Sequence, residues 1–309
     1  MRILLLLCLM FFTQGVIAQD DLLKLLSKDT TLSRFVNGTF KSTHLINLQS
    51  NETVFKKSLD FFISHRFGAI GKSSNATSTY HNLWGFDNVS DIRIAFEYGI
   101  TDRFTTGFSR SKYKENWELL GKYRLLEQTI NNSMPISVTL FGNLALSTYQ
   151  DLRFRFDQPS KKAEAERRLS YVTQIIIAKK FSTRLSLALH PTFIHHNFVF
   201  PPDESNAYAL GIGGRLKMTH TISAVMDYVY NFGELRKIGN INGYYNPLGA
   251  GIEIETGGHV FSIMFTNAYA LIENEFITST VDTWRKGGIR FSFNISRNFI
   301  LSKSAKKKV

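Results

Sequence analysis

Cysteine is almost absent from this chain. Its 309 residues include one, Cys8, within an apolar run at residues 3–12. Arg2 precedes that run, and Ala18 follows it at a spacing that suits a signal peptidase, so residues 1–18 are predicted to be a cleaved secretory signal peptide. The exported chain would then form no disulfide, and burial and hydrogen bonding would have to stabilise it.

Long hydrophobic runs are also missing. Beyond residue 18, no apolar stretch approaches the roughly 20 residues that a helix needs to cross a bilayer. The mean hydropathy is -0.10, and the chain has six prolines. A membrane location would therefore require a closed β-barrel, because an open sheet leaves backbone groups without partners in lipid.

The chain does contain stretches in which apolar and polar residues alternate with a period of two. In residues 289–299, "IRFSFNISRNF", apolar side chains alternate with polar ones almost without exception. The same pattern recurs in the stretches 58–67, 91–100, 136–147, 185–193, 207–219 and 259–269. Each stretch has about 10 residues, the length of a tilted membrane-crossing strand, whereas strands of soluble sandwiches have about 5–6. The apolar faces are therefore predicted to contact lipid, and the polar faces to line a lumen.

The predicted connections alternate in length along the chain. Short ones lie near 101–103, 131–135, 182–184, 220–221 and 257–258. Long ones lie near 68–90, 111–116, 149–168, 199–205, 233–247 and 272–284. Outer-membrane barrels have short periplasmic turns and long extracellular loops, and the same alternation is not expected of a sandwich.

The predicted fold class is therefore all-β, a single antiparallel transmembrane β-barrel of about 12 strands over residues 57–299. Residues 19–56 are predicted to be an N-terminal periplasmic segment that could add one or two strands, which leaves 14 strands as the alternative. Residues 300–309 are predicted to be a basic C-terminal tail. Lysines in that tail contribute to the formal net charge of +12.

Three stretches carry a resemblance to a known family: "SHRFG" at 64–68, residues 84–111, and "KYRLLEQ" at 122–128. They resemble an uncharacterised outer-membrane β-barrel family, a domain of unknown function, of Bacteroidota-type Gram-negative bacteria. The resemblance implies an outer-membrane location and transfers no catalytic residue. The expected partners are outer-membrane lipid and the barrel assembly machinery, with no nucleic acid, and the oligomeric state stays open.

The predicted lumen face carries many charges of both signs. The proposed lumen charge network consists of Asp60, Arg66, Asp91, Arg93, Glu97, Lys122, Arg124, Arg215, Lys217, Asp227, Glu253, Glu255 and Arg290. If these groups form ion pairs, they fill a rigid structural barrel. If some stay unpaired, they set the selectivity of a narrow passive channel for small polar solutes. A surface-exposed adhesion barrel that binds through its long loops is the alternative.

Catalytic and metal-binding patterns are weak. His195 and His196 are neighbours in a strand and point to opposite faces. His190 and His196 share a face but lie about 20 Å apart along it. No serine and histidine occur at the spacing of a lipid hydrolase, so we predict no catalytic residue, no cofactor and no metal, with a lipid-active enzyme as the least favoured alternative. Glycines at 211–214 and 249–251 are interpreted as sites of barrel curvature and close strand approach.

Overall fold

The computed structural model describes residues 35–71, 80–150, 160–201, 203–233 and 243–301. The predicted signal peptide, residues 1–18, lies outside the described residues. So does nearly all of the predicted basic tail, from residue 302 onward.

A single closed ring of antiparallel strands forms the molecule. Each strand pairs with its neighbour in the sequence, and β1 pairs with β12 to close the ring. The strands are β1 Ser58–Ala69, β2 Val89–Gly99, β3 Phe104–Ser111, β4 Asn116–Leu126, β5 Ser137–Ser147, β6 Leu169–Lys180, β7 Leu185–His196, β8 Asn206–Lys217, β9 Ile222–Asn231, β10 Leu248–Thr256, β11 His259–Thr266 and β12 Arg290–Ile300. The predicted 12-stranded barrel is confirmed, and the alternative of 14 strands is not adopted.

The barrel has an inverted distribution of polarity, as the alternating pattern predicts. In β5, Thr139 is fully buried inside the ring, whereas its neighbour Leu140 is 38% exposed on the outer surface. Apolar side chains that face outward along a whole barrel are unfavourable in water and favourable in lipid. None of the helices in the described ranges is long and apolar enough to span a membrane.

The two ends of the barrel differ. At the end called here the turn end, four short turns join the strands, for example residues 100–103 and 181–184, and a fifth, longer connection spans residues 127–136. The other end, called the loop end, has a short connection at residues 112–115 and otherwise carries the longer ones, including helix α1 Lys161–Arg167 and helix α2 Glu273–Ser279.

The connection between β11 and β12 folds into the barrel. Residues 267–283, called here the inserted loop, include α2 and bury Phe276 and Ile277 completely. The interpretation of 272–284 as a loop facing outward is wrong for these residues. Its apolar side chains are buried here, whereas at the loop end they would be exposed to water.

Residues 35–56, called here the plug, enter the lumen from the turn end. Within these residues only isolated bridges form, at Phe35, His44, Gln49 and Lys56, and none of the plug joins the ring. The prediction of one or two extra strands is therefore wrong for the described part of residues 19–56, and that part lies inside the barrel. A closed ring has no free edge to which another strand could be added.

Candidate functional site: a lumen closed by two inserted segments

A tight hairpin forms the tip of the plug. The backbone N–H of Leu45 donates to the carbonyl of Leu48 over 2.8 Å, and that of Ser50 donates to the carbonyl of Thr43 over 2.9 Å. All residues from 42 to 51 are buried. Residues 43–50, called here the plug turn, therefore form a compact hairpin enclosed by the barrel wall.

One wall carboxylate holds the plug turn. Asp227 on β9 accepts the backbone N–H groups of Ile46, Asn47 and Leu48 over 3.2, 2.6 and 3.0 Å. It also accepts the side-chain amide of Asn47 over 2.6 Å. Bonds from N–H groups to an ionised oxygen are stronger than neutral ones, so Asp227 is the principal anchor of the plug turn.

Wall glycines make room for the apolar side chains of the plug turn. A β-carbon added at Gly211 would lie 2.8 Å from Leu48 Cδ1, and one at Gly249 would lie 2.5 Å from Ile46 Cγ2. Gly213 stands even closer to the side chain of Leu45. The interpretation of these three glycines as sites of barrel curvature and close strand approach is therefore incomplete, because each also leaves space that a plug side chain fills.

Two buried wall cations bind peptide and amide oxygens. Lys122 on β4 donates to the carbonyl of Thr43 over 2.6 Å. Arg66 on β1 donates to the carbonyl of Ala270 in the inserted loop and to the side-chain oxygen of Asn47 over 3.1 Å. Both cations are fully buried, so the two inserted segments supply acceptors to wall groups that are costly to bury alone.

Other members of the predicted lumen network form ion pairs. Arg93 binds Glu118 over 2.7 Å across β2 and β4, and Arg215 binds Glu253 over 2.7 Å. Further pairs join the wall to the inserted segments or extend these contacts: Arg215 with Glu255, Lys41 with Glu255, Arg124 with Glu52, and Arg290 with Asp282. The charges thus fill the lumen together with the plug and the inserted loop.

The remaining members of that predicted network have different surroundings. Asp91 accepts the backbone N–H of Leu271 in the inserted loop over 2.9 Å. Glu97 is fully buried with its carboxylate 3.5 Å from His44 Nε2, and Asp60 is 6% exposed. Lys217 is partly exposed near the turn end. Lys217 thus lies apart from the buried part of this set.

The plug and the inserted loop also contact each other. Gln49 Nε2 donates to Glu273 Oε1 over 2.8 Å. Burial, followed by the nearby Glu118 carboxylate, raises the pKa of Glu273 to about 7. Burial also lowers the pKa of His44 well below its usual value, with Lys122 adding to the effect, so this histidine is neutral at pH 7.

At the loop end, two side-chain contacts hold the inserted loop. Lys114 binds Glu275 over 2.7 Å, and the hydroxyls of Tyr113 and Tyr269 lie 3.0 Å apart. Outside this contact is a cavity of about 700 Å³, whose lining includes Arg110, Lys112, His196 and Tyr149. The cavity is large enough for a small solute, and the inserted loop separates it from the plug turn.

Sequence reasoning missed the plug side chains that matter most. His44, Asn47 and Gln49 lie in a stretch without regular alternation, and their partners are far away along the chain. Asn47 and Asp227, for instance, are 180 residues apart. The only local signal is the set of lumen-facing glycines, which marks places where something approaches the wall closely.

Residues 40–299 match the family described as membrane bound beta barrel domain, DUF5777, which confirms the resemblance to an uncharacterised barrel family. The bacterial group stays a prediction. No curated protein matches the chain.

Several solved structures are similar in outline. The NanC porin has 8% identity over 78% of this chain and 98% of that chain, with a TM-score of 0.45. The KdgM porin has 8% identity over 78% of this chain and 99% of that chain, also at 0.45. An outer membrane channel from Pseudomonas putida F1 has 12% identity over 81% of this chain and 98% of that chain, at 0.45. At these identities and TM-scores the likeness carries no argument about function.

Proposed function

We propose that this chain, which belongs to the DUF5777 family of membrane-bound β-barrel domains, is a passive channel for small polar solutes that the plug and the inserted loop hold closed. One observation carries the proposal. The ring of 12 strands is complete without either inserted segment. Because neither segment contributes a strand, either can move without opening the barrel wall.

The chemistry of the lumen supports a polar route. Its wall presents hydroxyl, amide and charged side chains, which replace the hydration of a passing solute. The contacts of the plug are mostly hydrogen bonds to such groups, for example those of Asp227 and Lys122. Water can take over these bonds when the plug moves, so the energetic barrier to opening is lower than for an apolar core.

The proposed location is the outer membrane, with the turn end in the periplasm and the loop end outside. The apolar outer surface, the predicted signal peptide at residues 1–18 and the membership of a membrane-bound barrel family support it. In outer-membrane barrels the short turns lie on the periplasmic side. The plug would then enter from the periplasm.

A second candidate is a permanently closed structural barrel. The density of ion pairs and hydrogen bonds between wall and plug favours it. Four hydrogen bonds converge on Asp227 alone. The two candidates differ in one measurable property, which is whether the plug ever leaves the lumen.

A disulfide lock distinguishes the two candidates. A β-carbon at Gly249 would lie 2.5 Å from Ile46 Cγ2, so the two β-carbons fall within about 4 Å, which suits a disulfide. The chain with Cys8→Ser, Ile46→Cys and Gly249→Cys is refolded and studied in planar bilayers. Stepwise conductance is expected under reducing conditions and its loss on oxidation. The control pair Thr256→Cys and His259→Cys, which face each other across β10 and β11, is expected to conduct in both states.

Two results would contradict the channel. Silence of the wild-type and reduced proteins at every voltage would favour the structural barrel. Equal conductance of the reduced and oxidised lock would show that the plug does not close the route.

A further inference from the structure

We propose that the inner wall of the barrel around Asp227 on β9 is a binding site for short peptides, and that the plug turn is its resident ligand. The inference deepens the proposed function, because the site lies on the route that the plug closes and names peptides as the solute class. It can be tested by binding alone, without conductance.

The wall recognises peptide backbone. Asp227 accepts three consecutive backbone N–H groups, and Lys122 donates to the backbone carbonyl of Thr43. Further toward the turn end, Thr139 donates to the carbonyl of Asn51 over 3.2 Å, and Thr105 accepts the N–H of Val54 over 2.8 Å. These groups occur in every peptide, so the wall is complementary to a peptide chain as such.

The glycines near Asp227 make the wall complementary in shape to the plug turn. The spaces at Gly211, Gly213 and Gly249 take the side chains of Leu48, Leu45 and Ile46. Each space accepts an apolar group because the facing wall position has no side chain. The wall therefore favours a turn that presents apolar residues on both sides of its tip.

Asn47 supplies the polar part of the recognition. Its Nδ2 donates to Asp227, and its Oδ1 accepts from Arg66 over 3.1 Å and from Thr266 Oγ1 over 3.2 Å. Donor and acceptor of one amide are thus matched by a carboxylate and a cation. An amide fulfils both roles at once, whereas a carboxylate at this place would face Asp227 at short range.

The pattern of donors and charges favours a neutral peptide over other classes of solute at this site. The plug turn, "THLINLQS", carries no charge when His44 is neutral. A phosphate or sugar acid could accept from Lys122 and Arg66, but it offers no N–H donor to Asp227, which also repels it. A neutral sugar likewise lacks three N–H donors at the spacing of consecutive residues. A neutral peptide with an apolar–Asn–apolar turn satisfies all of these contacts.

The test uses the full chain with its own turn displaced. Leu48 is fully buried and its side chain fills the space at Gly211, so Leu48→Glu buries a carboxylate without a partner there and is expected to eject the plug turn. Leu45→Cys, in a Cys8→Ser background, reports ejection. A maleimide is expected to label it at least about tenfold faster than in the chain with Leu48 intact, since loss of a charge-assisted contact changes an equilibrium by this much.

The probe is a fluorescent peptide with the sequence of residues 43–50, acetylated and amidated. Its fluorescence anisotropy is expected to rise with the Leu48→Glu chain and to change little with the wild-type chain, whose tethered turn competes at high effective concentration. The same peptide with Asn47→Ala is expected to bind about tenfold more weakly, and a scrambled peptide is not expected to bind. Asn47→Ala in the full chain is a milder second variant in case Leu48→Glu does not refold.

The outcomes separate clearly. Fast labelling of Leu45→Cys without peptide binding would overturn the proposal, because the site would be vacant and still not bind. Equal binding of the peptide and its scramble would overturn it as well. Slow labelling in both variants would contradict the assigned contacts of Leu48 and Asn47. If the peptide binds but no conductance appears in bilayers, the proposed peptide site is supported and the proposed channel function is contradicted.

Discussion

Gln49 of the plug donates its side-chain amide to Glu273 of the inserted loop over 2.8 Å. The two segments that fill the lumen, one entering from each end, are therefore joined by a direct hydrogen bond. Movement of either segment removes a buried partner from the other, so the opening of one is expected to favour the opening of the other.

The first prediction concerns pH. The pKa of Glu273 is raised by burial and by Glu118 from 4.5 to about 7 when both segments are seated. Between these values the closed state binds more protons than the open state, so closure weakens as the pH rises from about 4.5 to 7 and then levels off. The open fraction in bilayers is expected to increase about tenfold or more from pH 5 to pH 8.

A matched pair of variants checks this assignment. Glu273→Gln removes the titrating group and is expected to flatten the pH profile. Glu115→Gln, at an exposed acid of the loop end, is expected to leave the profile unchanged. A profile that stays steep in Glu273→Gln would assign the dependence to another group.

The second prediction concerns the anchor Asp227. Asp227→Asn leaves the N–H groups of the plug turn facing an amide, which costs roughly 1–3 kcal/mol for each buried group without a partner. Labelling of Leu45→Cys by a maleimide is expected to accelerate at least about tenfold. Glu253→Gln removes the same charge from the wall, where the partner is Arg215, and is expected to accelerate labelling much less. Similar rates in the two variants would argue against a specific anchor.

The third prediction concerns the glycine at position 211. Gly211→Ala places a methyl group 2.8 Å from Leu48 Cδ1, and overpacking of this kind typically costs about 1–3 kcal/mol. The plug turn is expected to loosen, with faster labelling of Leu45→Cys. Adding Leu48→Val, which removes one carbon where Gly211→Ala adds one, should restore slow labelling. Gly142→Ala, whose new methyl would lie 3.5 Å from its nearest neighbour, serves as the control.

The fourth prediction concerns orientation. Lys162, which is 88% exposed in α1, lies at the loop end, and His220 lies in an exposed turn at the other end. On intact cells, Lys162→Cys is expected to react with an impermeant maleimide and His220→Cys is not. Both are expected to react after the cells are opened. The opposite pattern would invert the proposed topology.

The barrel could be predicted from the sequence because its information is local. In β12, the polarity of each residue indicates whether its side chain faces the lipid or the lumen. This alternation is enough to predict a strand. The same two-residue alternation predicts which charged side chains face the lumen. Arg93 and Glu97 could therefore be assigned to one face of β2 before the pairing register of the strands was known.

The closure of the lumen could not be predicted in this way. The pairing of Arg93 with Glu118 depends on the register of β2, β3 and β4, which alternation does not fix. The sequence of the plug turn shows no regular alternation of apolar and polar residues. The sequence of the inserted loop does not differ from those of the other long connections. Their placement depends on contacts between distant segments, such as that of Leu271 with Asp91, 180 residues away.

The position of the plug directly before β1 also has a consequence for biogenesis. Lys57 donates its backbone N–H to the carbonyl of Gly99 at the turn end, and β1 can complete its pairing only when β12, the last strand to be synthesised, arrives. The plug therefore exists before the seam closes. A half-built sheet that wraps its polar face around this early segment gives Lys122 and Asp227 partners, so we expect the first part of the chain to act as a template for the assembly of the rest.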